Sequence, residues 1–318
     1  MQLIDPKTPY TEAPLACCVG FFDGTHRGHQ YLFSTLRAEA ARRGLLPTVI
    51  TFRQHPYTLI APDQCPPMLQ TLDERLAHIA QQGIARAVVL DFTPNLRKMD
   101  AHMFMQEILL KQFGAKLLVL GHDSQFGSNR HLQFADYSRY GHEMDMDVIR
   151  AERYTTQHYT INSSTIRQLI SQGEMEVANG LLGYAYSLTG TVINGYKIGR
   201  TIGFPTANLR VAEEKQIPFG GVYVVRALVG STYYNGMLNI GVRPTLSNDN
   251  QQSIEVHLFE FEQSIYNQEM VVEILHFLRH EQRMESLEML TAQLFQDKVA
   301  ALLWLKNHSD ETAFYKKQ

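Results

Sequence analysis

The chain is 318 residues long, more than one compact domain ordinarily holds, so two domains are expected. Apolar residues make up 44% and charged residues 19%, a balance that supports real cores and excludes a disordered or fibrous chain. A formal charge of −3 supplies no field that would draw nucleic acid or anionic lipid, so neither partner is expected.

The N-terminal stretch MQLIDPKTPY lacks the basic and apolar regions of a secretory signal. No apolar run reaches the ~20 residues that span a bilayer. Cys17, Cys18 and Cys65 are odd in number and two are adjacent, which argues against a disulfide framework and for a reducing cytoplasm. CxxC and HExxH spacings are absent, so no zinc site is indicated.

Along the first half, strands and helices alternate. LACCVGFF reads as a buried strand, and HRGHQYLFSTLRAEAARRG as a helix stopped at Gly44. LLPTVITF is the next strand, and a helix follows from the capping box at Thr71 and Glu74 to Gly83. ARAVVLDF, AKLLVLG and MDVIRAERY are further strands, with a helix from about Asp100 to Gly114 between the first two. Ser163 and Ser164 cap a last helix running toward Gly173. Alternation at this spacing predicts βαβ units, a parallel sheet covered on both faces, and ligands beyond the carboxyl ends of its strands.

From about Tyr184 the pattern changes to short β-branched and aromatic runs separated by Gly and Asn turns: SLTGTVING, GVYVVRALVG, YYNGMLNIG, SIEVHLFEF and EMVVEILHFL. These predict an antiparallel small barrel. A helical period then returns from Glu281, with Leu287, Leu290, Leu294 and Val299 recurring. The expected domains are 1–183 and 184–318.

Chemistry concentrates first in VGFFDGTHRGHQ, at a strand-to-helix turn. Gly24 and Gly28 let the backbone approach a bulky anion, and the following helix offers its free N–H groups. His26 and His29 lie about one turn apart, so both imidazoles can face one phosphate and donate to charge developing on it. A helix-capping or incomplete zinc pair is the plain alternative. In the second half, GYKIGRTIGFPTANL is rich in glycine but is not a Walker loop. Thr206 and Asn208 offer hard oxygens that suit Mg²⁺, the alternative being a β-turn at Pro205. Ile254, Val256 and Leu258 share one strand face and Glu255 takes the other, as a general base or a solvated residue.

The run GFFDGTHRGH resembles the first signature of the nucleotidylyltransferases, in the form found in the bacterial bifunctional riboflavin kinase/FMN adenylyltransferase (FAD synthetase) family. Ser163-Ser164-Thr165-Ile166-Arg167 resembles the second signature, and His55-Pro56 also fits. The resemblance implies a Rossmann-like nucleotidylyltransferase domain. In it, Gly20, Phe21, Phe22, Asp23, Gly24, His26, Gly28 and His29 would bind ATP together with Ser164, Thr165 and Arg167. His26 and His29 would act at the α-phosphate, the later three residues on the outer phosphates.

The second half is similar to the flavokinase domain, through GRTIGFPTAN, GVY, NIGVRPT and EVHL in order. That implies Lys197, Gly199, Gly203, Pro205, Thr206 and Asn208 on Mg-ATP, and Glu255 as the base on the ribityl hydroxyl. Asp123 and Arg279 would contact flavin. The implied activity is phosphorylation of riboflavin to FMN and adenylylation of FMN to FAD. It uses ATP and Mg²⁺, with flavins as substrates and products rather than as redox cofactor. His122 and Ser124 depart from the family's usual acidic and aromatic residues, and Asn267 from its glycine after Tyr266. The alternatives are a kinase with a re-purposed first domain and a non-catalytic flavin-binding protein. Oligomeric state is left open.

Overall fold

The structure, a computed structural model, describes residues 1–8, 10, 12–129, 131–156, 159–195, 198–242 and 252–308. The density of contacts divides it into two units, Met1–Ser163 and Ser164–Gln318.

The first unit holds strands β1 (Gln2–Ile4), β2 (Leu15–Val19), β3 (Leu46–Phe52), β4 (Arg86–Leu90), β5 (Ala115–Leu120) and β6 (Asp147–Arg150). They form one sheet in the order β1-β4-β3-β2-β5-β6, with every pair parallel. β2 lies inside the sheet and is buried along its whole length. Its side chains alternate between two cores, with Leu15, Cys17 and Val19 in one and Ala16 and Cys18 in the other. Burial pushes the Cys17 thiol up to about 12, so this cysteine is held as a small apolar residue.

The helix after β2, Arg27–Arg43, buries Leu32, Phe33, Leu36 and Ala40 and stops at Gly44, whose φ of 63° is the left-handed cap the sequence predicts. The Thr71–Glu74 capping box forms as expected, opening the helix Leu72–Gln81. Asp100 accepts from the Met103 N–H at 2.7 Å and starts a helix that widens into π-type turns over Phe104–Gln112. Sequence periodicity misses β1, which is too short to show alternation, and the helix Phe134–Glu143. From β2 the chain leads to β3 on one side, and β5 flanks it on the other. The crevice at the carboxyl ends of β2 and β5 is therefore the switch point of the sheet.

The second unit is a closed antiparallel barrel of β7 (Ser187–Ile193), β8 (Ala207–Val211), β9 (Gly221–Val229), β10 (Thr232–Val242), β11 (Gln252–Leu258) and β12 (Glu269–Arg279). Its order is β10-β11-β8-β7-β12-β9. Closure leaves no sheet edge unpaired. β8 begins at the end of the glycine-rich run 195–209, so Ala207, Asn208 and Leu209 belong to a ladder strand rather than to a turn. Asn267, with φ 62°, occupies left-handed backbone, which asparagine tolerates better than most residues. Both expected architectures are present: a parallel α/β unit and an antiparallel barrel with a C-terminal helix.

The C-terminal helix, Leu287–Asn307, lies on the barrel through Leu294, Ala301, Trp304 and Leu305, against Val224, Met237 and Leu275. Arg279 clamps it through two bonds to the buried Asp297, at 2.8 and 2.7 Å. Val299, part of the sequence's apolar period, lies on the opposite face and is exposed.

The helices Ser163–Ser171 and Met175–Leu182 precede the barrel. Asn179, 1% exposed, donates to the Ile274 carbonyl at 2.9 Å and accepts from the Tyr186 N–H at 2.8 Å. Asn179→Ala strands two buried backbone groups, so it should destabilise the second unit by roughly 2–4 kcal/mol. Urea unfolding followed by barrel tyrosine fluorescence would read this, and a loss under about 0.5 kcal/mol would show that water replaces the amide.

Candidate functional site

In the first unit the turn between β2 and the helix Arg27–Arg43 is over-determined by hydrogen bonds. Phe22 and Thr25 have φ of 59° and 36°, backbone that side chains other than glycine rarely adopt, and Gly24 between them has 79°. The buried Asp23 carboxylate accepts from the N–H groups of Leu69 and Gln70, both at 3.0 Å. The Asp23 carbonyl accepts from the Ser163 hydroxyl at 2.9 Å. The Thr25 hydroxyl donates to Gln70 Oε1 at 2.9 Å, and the Thr25 carbonyl accepts from Gln30 Nε2 at 2.9 Å. Phe21 lies under the Arg75 guanidinium at 4.1 Å, and its carbonyl accepts from the Thr51 hydroxyl at 3.0 Å.

This frame presents two stacked imidazoles. The rings of His26 and His29 are 3.6 Å apart with 15° between their planes. His26 Nδ1 accepts from the His29 N–H at 3.3 Å, so the neutral ring carries its proton on Nε2 as a donor. Burial lowers His26 to about 4, against a backbone hydrogen bond and the charge of Asp123, which pull the other way. Burial and the neighbouring His26 hold His29 well below the ordinary range. Both rings are neutral at pH 7. His29 Nδ1 is buried and has no hydrogen-bond partner among the described residues. A Cβ on residue 28 would come within 3.2 Å of the His26 ring, so Gly28 makes room for the stack.

Gly20, Phe21, Phe22, His26, Gly28, His29 and Asp123 meet at one cavity of about 260 Å³ at the switch point of the sheet. Asp23 and Gly24 are the scaffold beneath it. Ser164, Thr165 and Arg167 follow Ser163 at the N-terminal end of the helix Ser163–Ser171, in the second unit.

A second cavity of the first unit, about 300 Å³, is an apolar slot between Phe52, Pro56, Phe92, Met99, Phe104 and Phe126. Gly121–Ser124 line the histidine cavity and Gln125–Gly127 line the slot, so one seven-residue segment borders both. The Tyr137 hydroxyl accepts from the Phe126 N–H at 3.1 Å and donates to its carbonyl at 3.0 Å, which fixes that ring. Arg150 Nε donates to the His122 carbonyl at 3.0 Å. The segment is held through its backbone at His122 and Phe126. Sequence reasoning missed the slot, because its walls come from five separate segments.

In the barrel, Glu255 of β11 pairs with Asn208 of β8 on one side and Asn239 of β10 on the other, so the three side chains share one face. The Thr206 hydroxyl donates to Glu255 Oε2 at 3.1 Å. Thr206 and Pro205 line a cavity of about 460 Å³ with Arg200, Phe261 and Tyr266. Gly199 carries the turn into β8, since a Cβ there would lie 2.1 Å from the Phe204 carbonyl oxygen; Gly203 has φ 81°. His257, two positions after Glu255, donates from Nδ1 to the Pro205 carbonyl at 2.9 Å and pins that loop, a role the sequence does not advertise. Lys197 and the Arg243–Thr245 part of NIGVRPT lie outside the described residues. Arg279 is engaged by Asp297 and the His280 carbonyl rather than presented as a free cation. Among the described residues no three His, Cys, Asp or Glu side chains cluster as metal ligands. The neutral oxygens of Thr206 and Asn208 beside Glu255 fit a hard cation that brings phosphate oxygens with it. No helix of the described residues is long and apolar enough to cross a membrane.

Comparison with known proteins agrees with both units. A riboflavin kinase family model matches residues 182–305, and an FAD synthetase family model matches residues 9–165. The bifunctional riboflavin kinase/FMN adenylyltransferase of Escherichia coli K12 is 34% identical over 305 residues, covering 95% of this chain and 97% of that protein. The protein of the same name from Bacillus subtilis 168 is 33% identical, covering 93% and 94%. A crystal structure described as a macrolide-efflux protein of Streptococcus pneumoniae superimposes with a TM-score of 0.86 at 30% identity, covering 94% of this chain and 98% of that one.

The buried His26 makes stability depend on pH. Its folded value of about 4 lies below the ordinary 6.5, so between these values the unfolded chain binds a proton that the folded chain does not. Stability from this group is complete above pH 6.5 and is lost as pH falls toward 4, by roughly 2 kcal/mol at pH 5. His26→Gln should flatten that part of the profile. Equal pH slopes for the two proteins in denaturant titrations would show that His26 is not the group responsible.

Proposed function

Because the chain belongs to the family of bifunctional riboflavin kinase/FMN adenylyltransferases, we propose that it makes FAD in two ATP-dependent steps, one in each unit. The barrel transfers the γ-phosphoryl group of ATP to riboflavin, giving FMN and ADP. The α/β unit transfers the adenylyl group of a second ATP to FMN, giving FAD and pyrophosphate. The observation that carries this reading is the presence of two reactive clusters: the stacked neutral histidines at their cavity, and Glu255 bonded to Thr206, which borders the barrel cavity. A flavin storage protein needs neither. We assign the chemistry to modules 1–183 and 184–318, working in the cytoplasm, where free cysteines such as Cys17 and Cys18 stay reduced.

For adenylyl transfer, a phosphate oxygen of FMN attacks the α-phosphorus in line while the bond to pyrophosphate breaks. His26 donates from Nε2 to charge developing on the α-phosphate, and His29, stacked on it, lines the same cavity beside the phosphate. Both act as neutral dipoles, so neither must lose a proton first. Gly20, Phe21, Phe22 and Gly28 shape the wall, and the first N–H groups of Arg27–Arg43 face the anion. Ser164, Thr165 and Arg167 take the outer phosphates. The apolar slot, with Asp123 at the neighbouring cavity, receives the flavin, whose flat ring suits walls of phenylalanine.

For phosphoryl transfer, Glu255 removes the proton of the ribityl hydroxyl as its oxygen attacks the γ-phosphorus. The Thr206 bond aims that carboxylate. Thr206 and Asn208 hold Mg²⁺, which screens the phosphate charge when bound. Lys197, Gly199, Gly203 and Pro205 complete the ATP loop, and Arg279 supports the flavin side by fixing the C-terminal helix.

Incubating the pure protein with riboflavin, ATP and Mg²⁺ and separating the flavins tests the whole reading; FMN and FAD should both form. His29→Ala should cut FAD formation by about 10²–10³ and leave FMN formation intact. Glu255→Gln should abolish use of riboflavin while supplied FMN still becomes FAD. If either substitution stops both steps, the clusters do not divide the chemistry. Phe92→Ala opens the slot and should raise KM for FMN about tenfold, with KM for ATP unchanged, from the apolar area no longer buried. An unaltered KM for FMN would put the flavin elsewhere.

A further inference from the structure

The barrel buries one side of the helix Leu287–Asn307. Its other side carries Glu288, Ala292, Phe295, Val299, Leu302 and Lys306, all exposed, with Val299 at 65%, Leu302 at 45% and Phe295 at 56% although one edge of its ring meets Phe204 at 5.0 Å. The steps between these residues are four, three, four, three and four, the spacing of a coiled-coil seam rather than of scattered surface residues. Leu303 and Met289, 58% and 51% exposed, border the seam. A continuous exposed apolar row of this kind marks an interaction surface.

The row is also symmetric. Counting outward from Asp297, nine positions either way are Glu288 and Lys306, five are Ala292 and Leu302, and two are Phe295 and Val299. We propose that this face binds the same face of a second copy of the chain as an antiparallel two-helix seam around a two-fold axis. Glu288 then meets the partner's Lys306, Ala292 meets the partner's Leu302, and Phe295 meets the partner's Val299. Each large side chain faces a smaller one, and each end of the seam pairs opposite charges. Parallel pairing would set Glu288 against the partner's Glu288 and Lys306 against the partner's Lys306, so the charges select the antiparallel register. A two-fold contact is self-complementary, as a palindromic row requires. The seam is about 27 Å long at 1.5 Å per residue, short of a standard interface, so the dimer forms and dissociates with concentration.

Sedimentation equilibrium of the full chain over a wide concentration range tests this. The expected mass climbs toward twice that of the monomer. Val299→Lys puts a charge against the partner's Phe295 and should weaken association at least tenfold. Glu288→Lys and Lys306→Glu each create like-charge pairs and should weaken it, and the double variant should restore it. All three positions are exposed, so the fold is not at stake. A chain that stays monomeric throughout overturns the proposal, as does association that Val299→Lys leaves unchanged. Single charge reversals without effect, or a double variant that fails to recover, overturn the register. A chain lacking residues 309–318 should still dimerise; association that appears only after this truncation would make the C-terminal tail the occupant of the face and overturn the proposal.

Discussion

The buried carboxylate of Asp23 holds two backbone N–H groups of a segment almost fifty residues away, and the histidine turn of the first unit is built on that clamp. It holds the left-handed backbone at Phe22 and Thr25 together with the bonds of Thr25 to Gln70 and of Ser163 to the Asp23 carbonyl. With it, β2 ends abruptly, the chain doubles into a helix, and two imidazoles are stacked at the switch point of a parallel sheet. The clamp also explains why the histidines are neutral. A turn this tightly bonded buries them, and burial penalises the charged ring.

The barrel solves the equivalent problem with a ladder. Register, rather than a strained turn, puts Asn208, Glu255 and Asn239 side by side on three strands. Closure of the barrel makes that register hard to slip, because a shift of one residue would turn every apolar side chain of β11 outward. The loop before β8 is fixed from the same strand, by His257 on the Pro205 carbonyl. The two halves thus reach comparable precision by different means, a local hydrogen-bonded knot in one and a global strand register in the other.

The C-terminal helix has a double character. Its inner side packs Leu294, Ala301, Trp304 and Leu305 on the barrel and adds the bonds of the half-buried Arg279 to the buried Asp297. That packing leaves Val299 outward and Phe295 more than half exposed beside Phe204, although their hydrophobicity alone would have suited a core.

What the sequence by itself determined is local and periodic. Alternating strands and helices, the Thr71–Glu74 box, the Gly44 stop and the run from Gly20 to His29 are written in neighbouring residues, and each formed where the residues call for it. The barrel strands were legible for the same reason, since two-residue alternation survives in short stretches. Tertiary structure alone decided whatever joins distant segments. The Asp23 clamp on Leu69 and Gln70, the slot walled by Phe52, Phe92, Phe104 and Phe126, and the conversion of residues 207–209 from loop to strand have no local signature. Likewise, the period Leu287, Leu290, Leu294 and Val299 shows that a helix forms but not which side it buries. That side was decided by what the helix meets: Leu294, Ala301, Trp304 and Leu305 lose water against the barrel, and the buried Asp297 finds Arg279 there, partners that the helix sequence alone does not specify.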